Sequence, residues 1–289
     1  MTGAVSTSDL FAWHAHPDVW ALMIALLAGY VAAIAYLGPK KVPAGQVIVT
    51  TRQKACWVLG VAILWIGSDW PIHDIAERYL FSVHMVQHTM FSLIAAPLLL
   101  LGLPAWLLRT ILAPRWLFRL TRFLTRPFVA LVIFNVVIVL THWPTLVNLA
   151  LEHHAVHFLL HVVLVTASLI MWWPVVDPLP ELKRLSPPGK MLYLFLQSIV
   201  PTVPASFLTF GSRPLYSFYA HVPHPWVNAI TDQRIAGLIM KIGGGLLLWT
   251  VIAVIFFSWN AREESQGSGT PEVPWEDFER ELEVWDMRK

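Results

Sequence analysis

Two histidine pairs, His84/His88 and His157/His161, sit inside otherwise apolar runs with the members of each pair four residues apart. Residues at that spacing share one face of a helix, so each pair can offer two imidazoles to a single ion. Neutral imidazole is the commonest metal-ligating side chain, and its charge changes close to neutral pH. Ionisable groups within a membrane span are costly and usually face the bundle interior, where they mark pathways or sites. A lone histidine there more often makes an interhelical hydrogen bond, whereas two separate pairs point to ligation of a metal or cofactor. The other eight of the twelve histidines are His14, His16, His73, His142, His153, His154, His221 and His224.

The rest of the composition narrows the ligand set. One cysteine, Cys56, allows neither an internal disulfide nor a thiolate cluster. Paired imidazoles suit copper, zinc, iron or nickel, which leaves copper, zinc and haem iron open. His153, or His154, extends the second histidine stripe by a turn. Asp69, Asp74, Glu77, Glu152, Asp232 and Met240 are further candidates to complete a site. Each also has a plainer use: Asp69 as a helix cap, Asp74, Glu77 and Arg78 as caps and ion pairs, and Met240 as packing. The thioether of Met240 is nevertheless soft enough for Cu(I). His14, His16, His221 and His224 read as interfacial, with capture of incoming ions as a second role.

These residues are carried by membrane spans. The chain has 289 residues, is 56% hydrophobic and 13% charged, and has a mean hydropathy of +0.60. Soluble domains carry roughly a quarter charged residues. A net charge of +2 gives no reason to expect nucleic acid as a partner. The start of the chain lacks a basic segment and a small-residue cleavage site, so the first apolar run reads as a retained anchor. With about 20 apolar residues needed per crossing, seven runs qualify: 18–37, 54–70, 82–102, 127–143, 155–175, 190–210 and 235–259. Alternate loops carry twelve and three basic residues. The positive-inside rule then places the N-terminus outside, the C-terminus in the cytoplasm and the histidines towards the outer face. Within the basic loop 104–125, aromatic and arginine residues interleave as in interfacial helices on anionic lipid, with a break at Pro114. Pro201 and Pro204 should break the sixth span, and Gly243–Gly245 permits close approach or a bend in the seventh. Residues 1–260 thus form an all-α seven-helix membrane domain. Residues 261–289 form an acidic tail that is disordered over 261–274, with a short helix on Trp275, Phe278 and Leu282.

Several segments resemble the polytopic CtaG family of cytochrome c oxidase assembly factors. They are ERYLFSVHMVQHTMFSLIAAPLLLLGLP (77–104), HHAVHFLLHVVLVTASLIMWWPVV (153–176), LTFGSRPLY (208–216) and DQRIAGLIMKIGGG (232–245), with WHAHP (13–17) fitting the lead. The resemblance runs over roughly residues 11–260. It implies a multi-pass protein of the bacterial cytoplasmic (inner) membrane that delivers copper to the catalytic subunit of a haem–copper oxidase, with a periplasmic copper donor as a further partner. The positions that carry over are Glu77, Arg78, His84, Met85 and His88 around the third span, His157 and His161 in the fifth, and Asp232 and Met240 in the seventh. Lys241 departs from the pattern, since a cation opposes ion binding beside it.

The expectation is therefore a copper-binding assembly factor, not an enzyme, with His84, His88, His157 and His161 at its centre and His153, Asp69, Asp232, Met240 and Met85 as secondary ligands. The first alternative is a haem protein, either a b-type carrier or a haem-modifying enzyme, since histidines on facing helices can ligate one iron. The second is an intramembrane zinc hydrolase in which Asp69 or Glu77 acts as base, supported by Ser82. No H-E-x-x-H motif accompanies the histidines to favour it.

Overall fold

The computed structural model describes residues 12–182 and 185–267, with 276, 279–280 and 283–284 of the tail. In chain order the helices are α1 (Pro17–Lys41), α2 (Thr51–Ser68), α3 (Ile72–Arg78), α4 (Phe81–Gly102), α5 (Ala105–Ile111) and α6 (Arg115–Leu124). They continue as α7 (Pro127–Thr141), α8 (Pro144–Glu152), α9 (His154–Val176), α10 (Pro187–Phe210), α11 (Ser217–His221) and α12 (Ala229–Gly267). Among the described residues there is no strand. Helices close their own backbone hydrogen bonds, which an apolar chain in lipid requires. Five helices (α1, α4, α9, α10 and α12) are long and apolar enough to cross a membrane alone. Two further pairs, α2–α3 (bent by 42°) and α6–α7 (bent by 78°), pass the same test only when each is taken together, which makes seven if each bent pair is one span.

Local chemistry sets most of the boundaries. Thr50 and Gln53 form a capping box at the start of α2, each side chain accepting from the other's backbone N–H at 3.2 and 3.0 Å. Prolines open α7, α8 and α10, where the missing N–H costs nothing. The expected break in the sixth span falls at Val200–Pro201, between Pro187–Ile199 and Thr202–Phe210. Pro204 is absorbed in the first turn of the second half. The basic 104–125 stretch is two helices, α5 and α6, separated by Pro114 as its composition suggested. On α6, Trp116, Leu120 and Phe123 are exposed.

One expectation needs correction. The seventh helix does not end near residue 259 but continues to Gly267, so 261–267 are ordered helix. Glu263 and Glu264 accept hydrogen bonds from Trp259 and Asn260 one turn earlier, which supports the extension. Between α7 and α9 the chain forms the short helix α8. In the tail, the described residues Glu276, Glu279, Arg280, Glu283 and Val284 are helical, while Trp275, Phe278 and Leu282 lie outside the described residues.

α4 is the centre of the bundle, packing against α2, α9 and α12. Its helix widens into a π turn over Met90–Ala95, directly after His88, and such bulges recur at functional sites. The main apolar core joins α4, α7, α9 and α10, with Leu164, Met171, Trp172 and Leu194 almost fully buried. A buried polar chain ties three helices together there. Asn135 of α7 donates to Gln197 of α10 at 2.7 Å, Gln197 donates to the Tyr193 hydroxyl at 2.9 Å, and Tyr193 donates to the Met171 carbonyl of α9 at 2.9 Å. At the arginine-rich end, Arg109 and Glu181 form a forked ion pair at 2.5 Å. Hydrogen bonding within that pair holds the Glu181 carboxyl below its ordinary value and raises Arg109.

Candidate metal centre

The two histidine pairs meet. Because α4 and α9 pack together, His84 and His88 face His157 and His161 across one interface. His161 is the hub, its Nε2 lying 3.2 Å from His157 Nε2 and 3.3 Å from His88 Nε2. Ligand nitrogens of His84, His88 and His161 all lie within 4.8 Å of one another. With metal–nitrogen bonds of about 2.0–2.1 Å, a tetrahedral ion separates its ligands by about 3.3 Å, which matches the two measured contacts. His84 and His157 are buried, and the Nδ1 atoms of His84 and His88 have no hydrogen-bond partner among the described residues.

A chain of hydrogen bonds fixes one of these rings. The Gln87 amide donates to the Gly67 carbonyl at 2.7 Å and to His73 Nδ1 at 3.1 Å. His73 therefore carries its proton on Nε2, which lies 3.3 Å from a Glu77 carboxylate oxygen. The same Glu77 oxygen accepts from His157 Nδ1 at 2.5 Å. With its proton held there, His157 directs a bare Nε2 lone pair at His161 and the ion position. Carboxylate–histidine pairs of this type set tautomer and ring direction at metal sites. Sequence reasoning passed over His73 and Gln87. Neither belongs to a spaced pair, and only the packing of α3 against α4 brings them to the site.

The secondary candidates divide. Asp69 accepts from Trp20 at 2.7 Å, Trp65 at 3.0 Å and the Trp70 N–H at 2.8 Å, tying α1 to the end of α2. Asp232, fully buried, accepts from the N–H groups of Phe81 at 2.7 Å and Ser82 at 3.2 Å. It caps α4 from 151 residues away, which meets the unsatisfied donors of a helix start. Asp74 pairs instead with His16 at 3.1 Å, His14 at 3.4 Å and Arg78 at 3.5 Å. His14 and His16 thus form an ordered layer above His73, whose ring centroid lies 5.1 Å from that of His16. His153 is exposed at the start of α9, outside the cluster. His221 and His224 are engaged with the backbone carbonyls of Ser217 and Tyr219. Met85 and Met240 line a separate cavity on the adjoining face of α4. Lys241 is exposed, with its ammonium 5.7 Å from the Phe210 ring centroid.

The site opens on a second, larger cavity of about 470 Å³, lined by α1, α2, α4 and α9. His73, Glu77, His154, His157 and His161 mark its polar end, and Leu103, Leu108 and Leu112 its apolar one. The cluster itself suits a small ion. Axial ligands of a haem stand on opposite sides of the macrocycle, yet here the facing nitrogens are 3.2 and 3.3 Å apart. Neighbouring ring centroids are 4.2 Å (His84–His88) and 4.4 Å (His157–His161) apart, with no slot for a porphyrin.

No solved structure matches the chain. It is 26% identical to uncharacterized proteins of Mycobacterium bovis and Mycobacterium tuberculosis over 276 residues and of Mycobacterium leprae over 279. These alignments cover 87–88% of this chain and 40% of each relative, so the chain spans well under half the length of the curated relatives it matches. The model of one family, described as cytochrome c oxidase caa3 assembly factor (Caa3_CtaG), matches residues 28–262, including both histidine pairs, and the chain belongs to that family.

Proposed function

We propose that this protein is a copper-binding assembly factor, not an enzyme, that helps metallate a haem–copper oxidase. It lies in the bacterial inner membrane with the histidine end outward. The ion is cargo, held by His84, His88, His157 and His161 and passed to the oxidase catalytic subunit, with a periplasmic donor upstream. The observation that carries this reading is the convergence of three Nε2 atoms at 3.2 and 3.3 Å, with His157 oriented by Glu77. The cavity beside His157 and His161 gives the ion a way in and out without unfolding the bundle. Neither carboxylate suggested as a hydrolytic base is free, since Glu77 is in contact with two histidines and Asp69 accepts from three tryptophans.

The test is metal analysis of protein purified from copper-replete membranes, with an absorption spectrum of the same sample. Bound copper without a Soret band is expected, and His84→Ala/His88→Ala should lose that copper. Copper content far below one per chain and unchanged in the double variant would overturn the proposal. A Soret band would revive the haem reading.

A further inference from the structure

One buried histidine remains outside the cluster. His142 ends α7, and its Nδ1 lies 2.7 Å from the Ile138 carbonyl. Two acceptors do not approach so closely, so the proton is on Nδ1 and Nε2 carries a lone pair. That Nε2 points at the sulfur of Met85, 3.4 Å away. A thioether sulfur has no proton to give, so two electron-pair donors face each other in a buried place with no hydrogen between them. The pair borders a cavity of about 60 Å³, which Met240 and His88 also line.

We propose that Met85 and His142 form a second metal site, specific for a soft monovalent ion, Cu(I), with Met240 as the third donor available in the same cavity. The donor types set the specificity. Thioether sulfur and imidazole bind Cu(I) well, whereas carboxylates and carbonyls suit harder ions. Among the described residues no carboxylate lines the cavity, so all the charge of a bound ion would remain uncompensated. A monovalent ion keeps that desolvation cost lower than Zn²⁺ or Cu²⁺ would. Lys241 also borders the cavity, but its ammonium is drawn over Phe210. The site does not depend on the four-histidine reading: His88 adjoins both, but His142 and Met85 take no part in the cluster.

The experiment uses the full chain with Cys56→Ser, so that the only sulfur is thioether, titrated with Cu(I) under reducing conditions. X-ray absorption of the loaded protein should show a metal–sulfur shell. Met85→Leu, which conserves side-chain volume, should abolish that shell and bind one equivalent fewer, with an unchanged thermal midpoint. His142→Gln should also lose one equivalent. His157→Ala/His161→Ala should retain the sulfur-bound ion, which separates failure of the histidine cluster from failure of this site. A loaded parent protein with only nitrogen or oxygen neighbours would overturn the proposal without any variant. A sulfur shell that survives Met85→Leu would overturn the assignment to Met85.

Discussion

At the scale of single residues, Glu77 does the most for the cluster without belonging to it. Its carboxylate holds the protons of His73 and His157 on the far sides of their rings, leaving His157 Nε2 bare. Glu77→Gln should keep the fold and the number of bound ions but weaken copper binding by about 10–100-fold, as losses of ligand-orienting carboxylates do. Chelator competition on purified protein measures this, and unchanged affinity would remove Glu77 from the account. The spacing of the two pairs was legible in the sequence because helical periodicity alone puts residues four apart together. The role of Glu77 was not. Its partner His157 lies 80 residues further on, and an acidic residue beside Arg78 reads as an ordinary local ion pair.

At the scale of elements, the question is how α4 is held so that its histidines meet those of α9. Asp232 of α12 takes the first N–H groups of α4, so the seventh span fixes the start of the third. The family resemblance put Asp232 among the copper ligands, whereas its two backbone bonds give it a capping role. Asp232→Asn, which keeps an acceptor, should retain bound copper while lowering stability by about 0.5–2 kcal/mol, the range for a helix cap. Loss of copper from a variant that remains folded would restore Asp232 as a ligand. Gly237 sets the neighbouring contact between α12 and α10. A Cβ there would lie 2.8 Å from the Ala205 carbonyl oxygen and 2.9 Å from the Thr209 nitrogen. Gly237→Ala should therefore cost about 1–3 kcal/mol, typical of overpacking, read as a fall in the thermal midpoint in detergent.

At the scale of the whole molecule, charge and chemistry are segregated to opposite ends. Arg109, Arg115, Arg119, Arg122 and Arg126 occupy one end, and His14, His16, Asp74, His73 and Glu77 are layered over the cluster at the other. The positive-inside rule then turns that polarity into an orientation. In a Cys56→Ser background, a membrane-impermeant thiol reagent added to intact cells should label Arg213→Cys and spare Gln46→Cys. The reverse pattern would put the histidines in the cytoplasm and rule out an external copper supply.

The sequence by itself determined an all-helical chain with helices apolar enough to cross a membrane, the break at Pro201 and the spacing that puts each histidine pair on one helix face. All follow from local rules of hydropathy, proline chemistry and helical spacing. Only the tertiary structure decided that α4 and α9 adjoin, that Gln87, His73 and Glu77 form one chain of polar contacts, and that Asp232 caps a helix while His142 faces Met85. Each of those is a contact between elements far apart in the chain. A one-dimensional pattern specifies which face of a helix is special; which neighbour meets that face depends on how all the faces pack at once.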